Sequence, residues 1–299
     1  MDSWRFLLKR ASIYTALLIA IVCFVYISAR FIPGDPITVL YGEVAEDPAV
    51  RRVLEQRLGL DKPLYIQLIT YVRNIFTGSW GRSIYTGESV LSIVSRGYIA
   101  SAKLALLSSL LAVAICILVL YIEFSYGLNS RVLNALASLL SSMPTAVWGS
   151  ILLLFLIRFG PPIPLGDMAP PLTVLTLAGV GIFYRLFKTG IEYAYQQPFI
   201  STYTMMGFRK RDVFLKVLRF SLPIILSAAL YRAGLIIAGA IVAETMFLYP
   251  GMGLVFSTAL SSRDYPVLIG WGVAVSITLI GINLVIDIVH SIVDPRVEQ

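Results

Sequence analysis

Residues 104–122 read LALLSSLLAVAICILVLYI, a run without one charged side chain. As a helix at 1.5 Å per residue it reaches roughly 28 Å, close to the hydrocarbon thickness of a bilayer. A helix that is apolar on every side has no face to offer water, so lipid or other helices must cover it. The pattern recurs along the chain. Between charges lie Ala11–Ala29, Val132–Ile157, Met168–Tyr184 and Tyr265–Ile286, and a further apolar segment, about Pro223 to Leu248, is interrupted by Arg232 and Glu244. Only 14% of the 299 residues are charged, against roughly 25% in soluble domains. The expectation is an all-α membrane protein with six transmembrane helices. The first run is longer than a signal-peptide core and lacks a small-residue cleavage site, so it reads as a retained span.

Charge sets the direction. Arg5, Lys9 and Arg10 precede the first span, and Arg185, Lys188, Arg209, Lys210, Arg211, Lys216 and Arg219 fill the segment between the fourth and fifth spans against Glu192 and Asp212 alone. Basic short loops stay in the cytoplasm, which places both termini and that segment inside. The formal charge of +7 is then loop chemistry, and nucleic acid is not an expected partner. Cys23 and Cys116 lie in apolar runs, so no disulfide framework is expected.

The long segment after the first span, residues 32–98, has helical content of its own. Asp47-Pro48 is a cap followed by proline at the first helical position, and Gly59 stands where that helix would stop. Lys62-Pro63 opens a second helix, with Leu64, Leu68, Ile69, Val72, Ile75 and Phe76 at helical spacing before Gly78.

Pro198–Pro223 reads as a short helix, a sharp turn at Gly207, and a second helix. Pro198 suits a helix start, and Val213, Phe214, Val217 and Leu218 form one apolar stripe beside a basic face. Such a projection either lies on lipid phosphates or docks in a partner's groove. Pro250-Gly251 turns the chain after the fifth span. There is no G-x-x-x-x-G-K-[ST], no H-E-x-x-H and no G-x-S-x-G, and His290 is the one histidine. Phosphate-cradling, metal and acyl-transfer chemistry therefore have no motif here, and no cofactor is expected.

Several segments resemble the dipeptide/oligopeptide-type permease subunits of ATP-binding-cassette importers. They are Ile32-Pro-Gly-Asp-Pro36, Arg57-Leu-Gly-Leu-Asp-Lys-Pro-Leu-Tyr65, Gly78-Ser-Trp-Gly-Arg-Ser83, Glu244-Thr-Met-Phe-Leu-Tyr-Pro-Gly-Met-Gly253 with Arg263-Asp-Tyr-Pro266, and Asp294-Pro-Arg296. The resemblance covers nearly the whole chain. It implies a cytoplasmic N-terminus and first span in residues 1–31, an extracytoplasmic helical segment in 32–98, and a permease core in 99–299 with a coupling loop at 191–222.

In that loop the family carries a Glu-Ala-Ala…Gly…Leu-Pro pattern. Gly207 and Leu222-Pro223 fit it, whereas Ser201, Thr202 and Tyr203 occupy the Glu-Ala-Ala positions. With Phe208 and Arg209 these are the expected ATPase-coupling residues, and Pro250, Gly251 and Gly253 are the outer signature.

The implied partners are a second, similar permease, two ATP-binding subunits, an extracytoplasmic binding protein and the bilayer. The chain itself is not expected to be an enzyme.

Arg232 and Glu244 cannot pair directly, standing roughly 18 Å apart along a straight helix. An intramembrane arginine avoids lipid, so Arg232 faces the pore or a polar partner across a permease interface, with snorkelling the alternative. Glu244, Ser142 and Met143 are grouped with it as the expected lining of a translocation path, simple packing being the other reading of the break at Ser142-Met143. Ser141 to Pro144 interrupt the third span near its middle. Peptides are the expected cargo, with oligosaccharides or metal chelates as family alternatives. An ion-coupled secondary transporter would want midplane carboxylates, and Glu123, Glu244 and Asp287 sit towards span ends.

Overall fold

The structure is a computed structural model that describes residues 3–30, 42, 47–58, 61–160, 164 and 166–293. The Ile32–Pro36 motif, Gly59 and the Asp294–Arg296 ending lie outside the described residues, as does the His290 side chain. The described residues are helical throughout, with one isolated antiparallel bridge from Arg82 to Ser89. In chain order the helices are α1 (Ser3–Arg30), α2 (Pro48–Leu58), α3 (Leu64–Phe76), α4 (Val90–Tyr126), α5 (Ser130–Ser142), α6 (Thr145–Phe159), α7 (Ala169–Tyr195), α8 (Pro198–Met205), α9 (Lys210–Gly239), α10 (Ile241–Met246), α11 (Met252–Ser261) and α12 (Tyr265–Val293).

Four helices, α4, α7, α9 and α12, are each long and apolar enough to cross a membrane. Helices α5 and α6 make a fifth when taken as one span bent by 94°, and α1 adds the apolar stretch Ser12–Ile27. Lipid is the solvent that makes sense of the surface. Leu106, Leu110 and Leu118 of α4 are 57–58% exposed, and a contiguous apolar face of that kind does not persist in water.

The chain divides into two compact units, Met1–Ala100 with Pro250–Gly281 and Ser101–Tyr249 with Ile282–Gln299. In the first unit Asp47 Oδ1 accepts from the Ala49 amide at 2.8 Å, and α2 begins at Pro48 as its cap predicts. Helix α3 leans on α1 through the Tyr26–Tyr71 ring pair and the Tyr26 hydroxyl, which donates to Gln67 Oε1 at 3.2 Å. Val53 of α2 is exposed. The core of the unit gathers Val90, Val94, Met252, Ala259, Val267 and Ala274, and the Trp271 indole locks α12 to α11 by donating to the Met252 carbonyl at 2.9 Å.

The second unit is organised around α7, which is 61% buried along its span where α9 is 28% buried. Phe183, Phe187 and Ile191 run down its buried face and meet Ala137, Phe214, Val217 and Ile225 from α5 and α9. The α5–α6 corner falls at Met143–Pro144, and Trp148 steadies it by donating to the Leu140 carbonyl at 3.2 Å.

Pro223 does not open a helix. It lies inside α9, which runs unbroken from Lys210 to Gly239, so the basic segment and the first part of the fifth apolar segment are one element. The rest, with Glu244, follows a break at Ala240 in α10. An internal proline costs about 3 kcal/mol, and the buried face of Val213, Phe214, Val217 and Ile225 offsets that at roughly 1.5–3 kcal/mol per large side chain.

Candidate functional site: the turn at Gly207 and the polar groups behind it

Helix α8 is short because Pro198 starts it and Gly207 ends the turn. Gly207 has φ +78°, the Phe208 amide donates to the Tyr203 carbonyl and the Gly207 amide to the Thr204 carbonyl. This is a left-handed helix stop that glycine adopts without steric cost. One residue anchors the helix inward: Ile200 is 1% exposed. On the other side Met205 is 86%, Met206 67% and Phe208 47% exposed. Arg209, Lys210 and Arg211 follow at once, all exposed. An apolar tip ringed by cations suits neither plain water nor the hydrocarbon of a bilayer.

Of the expected coupling residues, Ser201 and Thr202 turn back on their own helix, where both hydroxyls donate to the Pro198 carbonyl at 2.7 and 3.0 Å. Tyr203 packs edge-on to Phe208 at 5.3 Å, with Lys216 Nζ 5.7 Å from its ring centre. The large side chains exposed here are Phe199, Met205, Met206 and Phe208, and α8 carries no carboxylate.

The expected path residues have separate surroundings. Arg232 Nη2 donates to the Leu175 carbonyl, and its guanidinium lies 5.7 Å from the centre of the Phe183 ring. Gly179 makes room for it, since a Cβ there would stand 3.0 Å from Arg232 Nε. Glu244 is fully buried and accepts from the Ser101 hydroxyl at 2.6 Å. Ser142 is exposed, its hydroxyl donating to the Leu139 carbonyl at 3.3 Å, and Met143 caps α5.

The outer-signature residues sit in the first unit. Pro250, Gly251, Ser83, Arg96, Val255 and Asp264 are among those lining a cavity of about 420 Å³. Gly251 and Gly253 are buried, and Gly251 caps the start of α11.

Sequence reasoning missed a buried ion pair. Lys188, counted among the loop cations, is 7% exposed and donates to Glu123 Oε1 at 2.6 Å. Glu123 also accepts from Ser130 Oγ and Tyr184 OH, each at 2.6 Å. One available signal was the Tyr184–Lys188 spacing, one helical turn, on the apolar side of α7.

Residues 124–299 match the family described as "Binding-protein-dependent transport system inner membrane component". The chain belongs to this family. Residues 3–88 match the companion N-terminal region of binding-protein-dependent transport system membrane components. The permease is 28% identical over 336 residues to the di/tripeptide transport system permease protein of Pseudomonas aeruginosa, covering 98% of each chain. It is also 28% identical to the oligopeptide transport system permease protein of Haemophilus influenzae, over 98% of this chain and 99% of that one.

Proposed function

We propose that this permease is the membrane path of a peptide importer, driven by two separate ATP-binding subunits and fed by an extracytoplasmic binding protein. The exposed Met205–Met206–Phe208 tip on a glycine-stopped helix carries the reading. Apolar side chains projecting among cations are stable when a partner's groove covers them, and methionine adapts well to such a groove. In this reading α1, α4, the α5–α6 pair, α7, α9 and α12 are six spans, both termini are cytoplasmic, and residues 32–98 lie outside. ATP hydrolysis belongs to the partners, since the chain has no phosphate-cradling loop of its own. A second permease of the same kind completes the path.

Peptides are the proposed cargo because the relatives from Pseudomonas and Haemophilus are both named for peptide transport. Motion of the ATP-binding subunits would reach α7 and α9 directly, as both helices flank α8 and pack on one core. Arg232, Glu244, Ser142 and Met143 remain proposed for the path. Their scattered surroundings favour a path shared with the second permease over a pocket closed within one chain.

Reconstitution tests the function. Proteoliposomes holding both permeases, both ATP-binding subunits and the binding protein should accumulate labelled di- or tripeptide only with ATP inside the cytoplasmic compartment. Accumulation by this chain alone, driven by a proton gradient, would establish a secondary transporter instead.

A further inference from the structure

The last residues of α4 touch both legs of the turn that carries α8. Tyr121 packs edge-on against Phe214 of α9 at 5.4 Å, Phe124 stacks on Tyr195 of α7 at 5.1 Å, and the Ser125 carbonyl accepts from Lys210 Nζ at 3.4 Å. Between these contacts stands Glu123, 4% exposed. Its Oε1 accepts from Lys188 Nζ of α7 and from Ser130 Oγ at the first residue of α5, and its Oε2 accepts from the Tyr184 hydroxyl. Lys188 Nζ donates in turn to the Tyr184 oxygen at 3.1 Å.

Stability does not explain the charges. A buried ion pair is commonly no better than apolar side chains of the same volume, because desolvation offsets the attraction. Directed hydrogen bonds add register. Apolar faces slide past one another at modest cost, whereas three donors converging on one carboxylate hold only at one axial setting of α4, α5 and α7.

We propose that Glu123 is a positioning residue that locks α4 and α5 to the coupling turn, so that a push on α8 moves them as one body. The proposal rests on the reading of α8 as the docking element for the ATP-binding subunits. The load then passes from α8 through Lys188 and Tyr184 to α4, and through Ser130 to the bent α5–α6 pair.

The test places spin labels at Thr204 on α8 and Leu136 on α5 in the assembled transporter, with and without ATP and vanadate. In the unmodified network the separation should stay constant between the two states. The double variant Glu123→Leu/Lys188→Leu keeps an apolar, neutral core, and it should assemble and hydrolyse ATP while the separation shifts by roughly 2 Å or more on trapping. Tyr184→Phe, which removes one hydroxyl, should broaden the distribution, and Lys188→Arg, which keeps the pair, should leave it as narrow as in the parent. A double variant with the constant separation of the parent overturns the proposal, as does a parent whose own separation changes. Failure of the docking reading would show independently, as a parent assembly in which α8 never crosslinks to an ATP-binding subunit.

Discussion

Ser83 and Asp264, 181 residues apart, meet in a buried hydrogen bond in which the Ser83 hydroxyl donates to Asp264 Oδ2. The same carboxylate accepts from the Ile84 amide at 3.2 Å, while Ser83 Oγ accepts from the Thr86 amide at 2.9 Å. Two signature segments, Gly78–Ser83 and Arg263–Pro266, are therefore one structural device. Asp264 both caps α12 and pins the turn at residues 83–86, which serves as a wall of the 420 Å³ cavity.

Replacing Asp264 by Ala should loosen that turn. The loss leaves the Ser83 hydroxyl and the Ile84 amide without their acceptor, a cost of about 1–3 kcal/mol. Hydrogen exchange should rise at residues 83–86 and the start of α12 while α7 and α9 stay protected. Unchanged exchange there would show that the carboxylate is dispensable.

Gly207→Val should impair docking through the backbone alone. A Cβ at that position meets nothing within 4 Å, so the penalty is the left-handed φ, about 1–2 kcal/mol. Gly207→Asn, which tolerates that region, should keep most activity. The measurement is ATP-binding subunit recovered per permease in pull-downs, ordered glycine, asparagine, valine.

Leu248 accepts a conformation that glycine would take more cheaply. Its φ is +52°, its amide donates to the Thr245 carbonyl, and the Tyr249 amide donates to the Glu244 carbonyl, the same helix stop used at Gly207. Its side chain is 47% exposed, so only about half of a leucine's burial is forfeited. Leu248→Gly should raise the thermal midpoint, by about 1 kcal/mol of relieved strain. A lower midpoint would mean that the side chain packs on a partner.

Element types and several boundaries were legible in the sequence because their causes are local. Asp47-Pro48, Lys62-Pro63, Pro198 and Gly207 act within a turn of themselves, and each helix limit fell where they indicated. Apolar run length likewise announced the long helices α4, α7, α9 and α12. That α9 continues through Pro223 was not legible, because whether a proline breaks a helix depends on the face buried around it, and the α9 face buries Val213, Phe214 and Ile225. The partners of Glu123, Arg232 and Asp264 were hidden for another reason. They are set by which helices pack together, and Lys188 looks like any loop cation until α7 is seen at the centre of its unit.

Arg232→Leu should separate stability from transport. Leucine removes an intramembrane cation whose insertion costs about 2.5–3.5 kcal/mol, and the Leu175 carbonyl lies within α7. The variant should therefore purify with an undiminished thermal midpoint and lose peptide uptake. Normal uptake would remove Arg232 from the translocation path, and a sharply lowered midpoint would make it a structural tie between α7 and α9.

Whether α8 is the docking element is decided by Met205→Cys, made in a background with Cys23 and Cys116 replaced. With a short bifunctional thiol reagent in the intact assembly, the introduced thiol should crosslink to an ATP-binding subunit. It should stay unlabelled by an impermeant thiol reagent applied to whole cells. Labelling from outside, or crosslinks that never include an ATP-binding subunit, would refute a cytoplasmic docking role for this helix.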